Sequence, residues 1–149
     1  MIMKTEKISL ELVFTTRKII KLTEEFKNKN LSELYFKALA NCDMKTLAQI
    51  ILSFGEVEGK SPFNNDLNKV YDFIDDYKKE NKKTYEEIYE EIAEVINNEG
   101  FFIKKMTKEE LTAMKNNPLS SMDLEATMKN IVDKVATEIV TEEFKGYQG

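Results

Sequence analysis

The acidic side chains come closest to a chemical constellation. Asp72, Asp75 and Asp76 fall in one short stretch, and Glu86, Glu87, Glu90, Glu91 and Glu94 in another. On a helix, the spacings Glu87–Glu91 and Glu90–Glu94 put carboxylates on one face, as a metal centre or an acid/base pair requires. Carboxylate metal centres in helical bundles combine Glu with a Glu-x-x-His pattern, and this chain has no histidine. A calcium loop needs alternating Asp or Asn, a central Gly and a terminal Glu, and no stretch has that order. The acids therefore read as solvated helix faces. A carboxylate–metal hydrolase is the enzymatic alternative, and it predicts stoichiometric divalent metal; no metal, cofactor or catalytic residue is expected.

The absence of histidine also removes His-dependent triads and the commonest neutral metal ligand. The single cysteine, Cys42, has no partner for an intrachain disulfide or a Cys-x-x-Cys site. Asp43 beside it discourages a thiolate while a following helix N-terminus favours one, and it reads as an inert thiol at a helix junction. Gly55-x-x-x-Gly59-Lys60-Ser61 approaches the phosphate-cradling form GxxxxGK[ST]. Its first glycine is one residue too close, and a helix rather than a strand precedes it. The aromatic series Tyr71, Phe73, Tyr77, Tyr85, Tyr89, Phe101 and Phe102 could stack bases, but its acidic surroundings repel phosphate, so core or protein interface is expected. Tyr71, Tyr77, Tyr85 and Tyr89 suit rings in the core with hydroxyls at the rim.

Charge narrows the partners. Lys and Arg number 22 against 27 Asp and Glu over 149 residues, so no nucleic-acid footprint is present. The sign is uneven. Residues 1–30 carry a net +3 and residues 61–99 a net −6, which reads as solvated faces or as two ends that orient neighbours in an assembly. No apolar stretch approaches the ~20 residues that span a bilayer, so no membrane partner is expected. Met1-Ile2-Met3 runs directly into charged residues, so no secretory leader is expected. A free cysteine among many lysines and glutamates fits a reducing cytoplasm.

These side chains must be positioned by a mainly helical frame. Ile8, Leu10, Leu12 and Phe14 alternate with more polar neighbours and predict one strand over 8–14. It needs a partner, and Phe101-Phe102-Ile103-Lys104, or another molecule, is the candidate. Thr15 or Thr16 caps a helix to about Lys27, a second starts near Ser32, and a third runs from Asp43 to Gly55. Glu56–Ser61 reads as a loop or minor strand. Ser61-Pro62 opens the next helix, with Leu67, Val70, Tyr71, Ile74 and Tyr77 on one stripe. Lys78–Lys83 is too polar for core. Thr84 and Glu87 form a capping box for a helix that ends at Gly100. Thr107 and Glu110 repeat that spacing, and Asn116-Asn117-Pro118 breaks the short helix behind them. Ser120 and Asp123 open a last amphipathic helix with Leu124, Met128, Ile131, Val132, Val135, Ile139 and Phe144 in a row, ending at Lys145-Gly146, which docks in cis or reaches another molecule.

Ile8-Ser9-Leu10-Glu11-Leu12-Val13-Phe14 leads through Thr15-Thr16-Arg17-Lys18 into a helix, followed by Asn28-Lys29-Asn30-Leu31. This layout resembles the start of the tail assembly chaperones of tailed phages and phage-tail-like bacteriocins, which open with a strand, a Thr-x-Arg-like turn and a helix. Their next turn is Gly-Lys-Asn-like, and here it lacks the glycine. The resemblance continues through Asp43-Met44-Lys45-Thr46-Leu47-Ala48-Gln49-Ile50-Ile51 and through Thr84-Tyr85-Glu86-Glu87-Ile88-Tyr89-Glu90-Glu91-Ile92, covering about residues 8–100. It implies a non-enzymatic chaperone that binds the tape measure protein, helps recruit the tail tube protein, self-associates, works in the cytoplasm of the bacterial host and is absent from the mature particle. In many phages a frameshift adds a longer product from the same start codon.

The sequence thus predicts a compact, mainly α domain with a short N-terminal strand and at most a minor β pairing, plus a C-terminal amphipathic helix. Residues 1–100 form the chaperone-like helical domain and 101–149 an extension. Phe14, Tyr85, Tyr89, Phe101, Phe102, Ile131, Val135 and Ile139 are the candidate interface residues. The alternative function is a small acidic binding or regulatory module, antitoxin-like or immunity-like, covering a basic partner.

Overall fold

Local capping chemistry sets most helix boundaries in the computed structural model, which describes residues 1–28 and 30–116. Helix α1 (Thr16–Glu25) starts where Thr15 Oγ1 accepts the Lys18 N–H at 3.2 Å. In α2 (Leu31–Asn41) the capping acceptor is Asn30 Oδ1, 2.8 Å from the Glu33 nitrogen. Asp43 does the same for α3 (Met44–Phe54), accepting from Thr46 N–H at 3.0 Å. Each satisfies an amide that the helix itself leaves without a partner. Reciprocal boxes join Thr84 with Glu87 at the head of α5 (Tyr85–Asn98) and Thr107 with Glu110 at the head of α6 (Lys108–Asn116). Gly100 follows α5 at φ +79°, the left-handed position that favours glycine.

Two expectations are corrected. Helix α4 (Leu67–Asn81) starts five residues after Pro62. Asn64 and Asn65 lie at φ +50° and +56°, a left-handed pair that no right-handed helix can pass through, and Asp66 then caps α4 by accepting the Asn68 N–H at 2.9 Å. The partner of the expected strand is not Phe101–Lys104. Strand β2 (Ser9–Leu12) lies between β1 (Ile2–Lys4) and β3 (Gly55–Glu56) in an antiparallel sheet of order β1-β2-β3. Met3 faces Leu10, and Leu12 faces Gly55. The hairpin is local: Thr5 N–H donates to the Ile8 carbonyl at 2.8 Å, and Thr5 Oγ1 accepts from the Ile8 N–H at 3.1 Å. Phe101–Lys104 instead lies against α2, with the Ile103 N–H donating to Ser32 Oγ at 3.0 Å.

The rest is mainly α, with this small sheet at the N-terminal end. Met3, Leu10, Leu12 and Phe14 pack into the same core as Phe54, Ile50 and Ile74. That core continues past Gly100, because Phe102, Met106 and Met114 are buried in it. Asn97 fastens this continuation: its buried amide donates to the Met106 carbonyl at 2.8 Å and accepts the Met106 N–H at 2.7 Å. The polar end of α4 also has a structural task. Asn81 donates to the Lys4 carbonyl at 3.1 Å and Glu80 accepts the Glu6 N–H at 2.7 Å, tying the hairpin to the helix. The stripe from Leu124 to Ile139 lies outside the described residues.

Candidate functional site

Three of the clustered acids have structural tasks in the fold. Glu87 closes the α5 capping box, Asp76 lies 3.5 Å from Lys7, and Glu91 pairs with Lys83 while accepting from the Tyr77 hydroxyl at 3.4 Å. The Glu91 hydrogen bond and charge hold the Lys83 ammonium above its ordinary pKa. Among the described residues, no group of three or more Asp, Glu or Cys side chains could hold a metal ion. The Gly-Lys-Ser near-match folds into a tight turn. Val57 and Lys60 exchange backbone hydrogen bonds across Glu58 and Gly59, both with positive φ, which is hairpin geometry rather than a phosphate cradle. Cys42 is exposed, in left-handed backbone at the end of α2.

The candidate interface aromatics divide by burial. Phe14 is a core ring packed 4.6 Å from Phe54. Phe102 is buried 4.9 Å from Phe36 and 5.7 Å from Tyr35. Tyr89 is fully buried beside Tyr35, whose hydroxyl donates to the Tyr89 carbonyl, while the Tyr89 hydroxyl donates to the Asp43 carbonyl at the head of α3. Burial pushes the hydroxyls of both tyrosines well above their ordinary pKa. Tyr85 and Phe101 keep part of their surface. Ile131, Val135 and Ile139 lie outside the described residues.

Tyr85 helps to build the first of two apolar clefts. Met44 and Lys45 of α3, Tyr71, Ile74 and Asp75 of α4, and Tyr85 of α5 enclose about 300 Å³. Met44 is 55% exposed and Tyr71 37%, while Ile74 is buried beneath them. Lys78 Nζ sits 3.9 Å from the centre of the Tyr85 ring, a cation–π contact that steadies this wall. Burial raises the Tyr85 hydroxyl above its ordinary pKa, and the Asp75 carboxylate raises it further. Sequence reasoning missed Met44. Its place in the first turn of α3 gives no periodic signal, because the α3 core stripe lies at Leu47, Ile50, Ile51 and Phe54.

The second cleft, about 140 Å³, lies where α6 packs on α2 and α5, between Phe36, Leu39, Ala93 and Leu111, with Glu90, Lys108 and Thr112 at its edge. Ile103 stands 58% exposed in the segment that leads into α6. A third, polar cleft of about 590 Å³ opens between α1, α3 and the loop before α4. Lys18 at its wall donates to the Val13 carbonyl at 3.2 Å and pairs with Glu56.

Such surfaces suit protein contacts: apolar floors with charged edges. Compared with known protein families, with curated proteins and with solved structures, the chain matches none of them. No helix among the described residues is long and apolar enough to cross a membrane.

Proposed function

We propose that this chain is a non-enzymatic assembly chaperone that holds an apolar helical client, the tape measure protein of a phage tail or tail-like particle, and helps bring tail tube subunits to it. The reading combines the resemblance over residues 8–100 with one structural observation. The cleft between α2, α5 and α6 is floored by Phe36, Leu39 and Ala93 and bordered by the half-exposed Leu111. Apolar side chains of a client helix spaced three and four apart can seat in such a groove. The sequence stripe Ile131, Val135 and Ile139 supplies further apolar contact to client or neighbour. The work is carried out in the bacterial cytoplasm, and the chaperone leaves before the particle is complete.

The test is affinity pull-down after co-expression with the nearest long, helix-rich reading frame encoded beside it. The combined substitution I131A/V135A/I139A is expected to reduce recovery of that partner while leaving the thermal unfolding of the chain within a few degrees of wild type. Equal loss of binding and folding contradicts this role for the stripe. Failure of the wild-type chain to retain the partner at all contradicts the function. The regulatory alternative has its own support in the exposed Asp72 and Asp75 on α4, and it predicts capture of a small basic protein instead.

A further inference from the structure

Helix α6 packs on α2 beside the cleft floored by Phe36 and Leu39 of α2 and Ala93 of α5. These three side chains are buried, as is Met114 of α6, while Leu111 is half-buried at the wall. Leu111 and Met114 stand three residues apart, the spacing with which a helix presents one face to a groove. The open part of the cleft, about 140 Å³, is close to the ~150 Å³ that holds a single benzene-sized group. One apolar side chain fits there. The row along a whole helix does not, because α6 already sits on α2.

The chain is fastened up to the threshold of α6 and held less completely beyond it. The Ile103 N–H donates to Ser32 Oγ, and Asn97 bonds both backbone groups of Met106. The buried face of α6 then carries a flaw. Glu110 Oε1 accepts the Thr107 N–H at 3.0 Å, but Oε2 is buried without a hydrogen bond, and Lys104 Nζ stands 3.7 Å from it. A carboxylate oxygen buried in this way costs free energy, and the unfilled cleft beside Leu111 forfeits packing contacts. Departure of α6 relieves both. With nine residues, α6 falls below the about 12–15 that an isolated helix needs in water, so detachment and unwinding go together.

We propose that α6 is a lid seated in cis where the client helix docks, and that the client displaces it. This rests on the chaperone reading above. A first apolar side chain of the client enters the open cleft beside Leu111. Helix α6 then turns away about Thr107, and client side chains three and four apart replace Leu111 and Met114 over Phe36, Leu39 and Ala93. Glu110 leaves with α6 and regains water. Without a client, the lid keeps Phe36 and Leu39 covered, so the free chain shows no long apolar groove of its own. Closure lowers the apparent client affinity by the fraction of chains that are open, and weakening the lid raises it.

The experiment is pull-down of the co-expressed helix-rich partner, at limiting partner, by the full wild-type chain, A113P and L111S. Hydrogen exchange of the α6 amides is read in the free wild-type chain and in its complex. Ala113 is exposed, so proline there breaks α6 without removing an apolar contact. Both variants should retain at least about threefold more partner, since each raises the open fraction. A fixed groove wall gives the opposite sign, because L111S then deletes a contact with the client. In the wild-type complex the α6 amides should lose protection while those of α5 keep it. Circular dichroism reports whether the variants are folded, and the exchange measurement needs no variant. Folded variants that retain less partner than wild type, or α6 amides as protected in the complex as in the free chain, overturn the lid and leave the chaperone reading standing. A wild-type chain that retains no partner overturns both.

Discussion

Replacing Asn97 by alanine removes both hydrogen-bond partners of the Met106 backbone inside the core. A buried polar group without a partner costs about 1–3 kcal/mol. N97A should therefore lower stability in urea unfolding by about 3 kcal/mol, far more than a surface Asn97-like amide would cost, and a loss below about 0.5 kcal/mol contradicts the assignment. Tyr35 and Tyr89 make a second prediction through pH. Burial raises both hydroxyls above the ordinary 10.0, so below that pH the folded and unfolded chains alike keep them protonated. Above it the unfolded chain loses protons that the folded chain retains, so stability falls as pH rises past 10.0. Phenolate absorbance of these two residues should appear together with loss of helical circular dichroism; early, separate titration contradicts it. The sequence suggested that Tyr89 buries its ring. That its hydroxyl reaches the Asp43 carbonyl, 46 residues away, is a long-range pairing with no local signature.

Elements were legible where their signals are local. Thr84 with Glu87, and Thr107 with Glu110, satisfy amides three residues away, so spacing alone locates the starts of α5 and α6. T84A should cost about 1 kcal/mol. The three residues of β1 were missed because Ile2–Lys4 is too short to show a period of two, and it forms a strand only because β2 lies beside it. The start of α4 was misplaced because Pro62 suits a first turn, whereas the backbone of Asn64 and Asn65 excludes one. Gly55 marks the end of α3, and the structure adds a steric reason for glycine there. A Cβ there would lie 2.7 Å from the Ile51 carbonyl oxygen and 2.9 Å from Leu10 Cδ2. G55A should therefore destabilise the α3–β3 junction by about 1–3 kcal/mol, measured by denaturant unfolding. A neutral result would mean that the sheet and α3 can move apart at little cost.

For the molecule as a whole, the mainly α class followed from the helix periodicities, whereas the placement of surface apolar groups did not. Phe14 and Phe102 looked like interface residues because aromatic side chains serve core and interface equally, and only tertiary packing shows them inside. Met44 and Leu111 border clefts because three helices converge around each, a relation that no single segment reports. The core crosses Gly100 through Phe102, Met106 and Met114. Truncation after residue 100 should therefore lower the thermal midpoint by many degrees rather than release an intact domain, since it uncovers Phe36 and Tyr35. The proposed chaperone function is a matter of the client's solubility. The most direct measurement is the soluble fraction of the long helix-rich partner expressed with and without this chain, with the mass of any complex determined by light scattering. Under the proposed function the partner aggregates alone and becomes soluble with several copies of the chain bound. A partner equally soluble in both cases, with no complex formed, contradicts it.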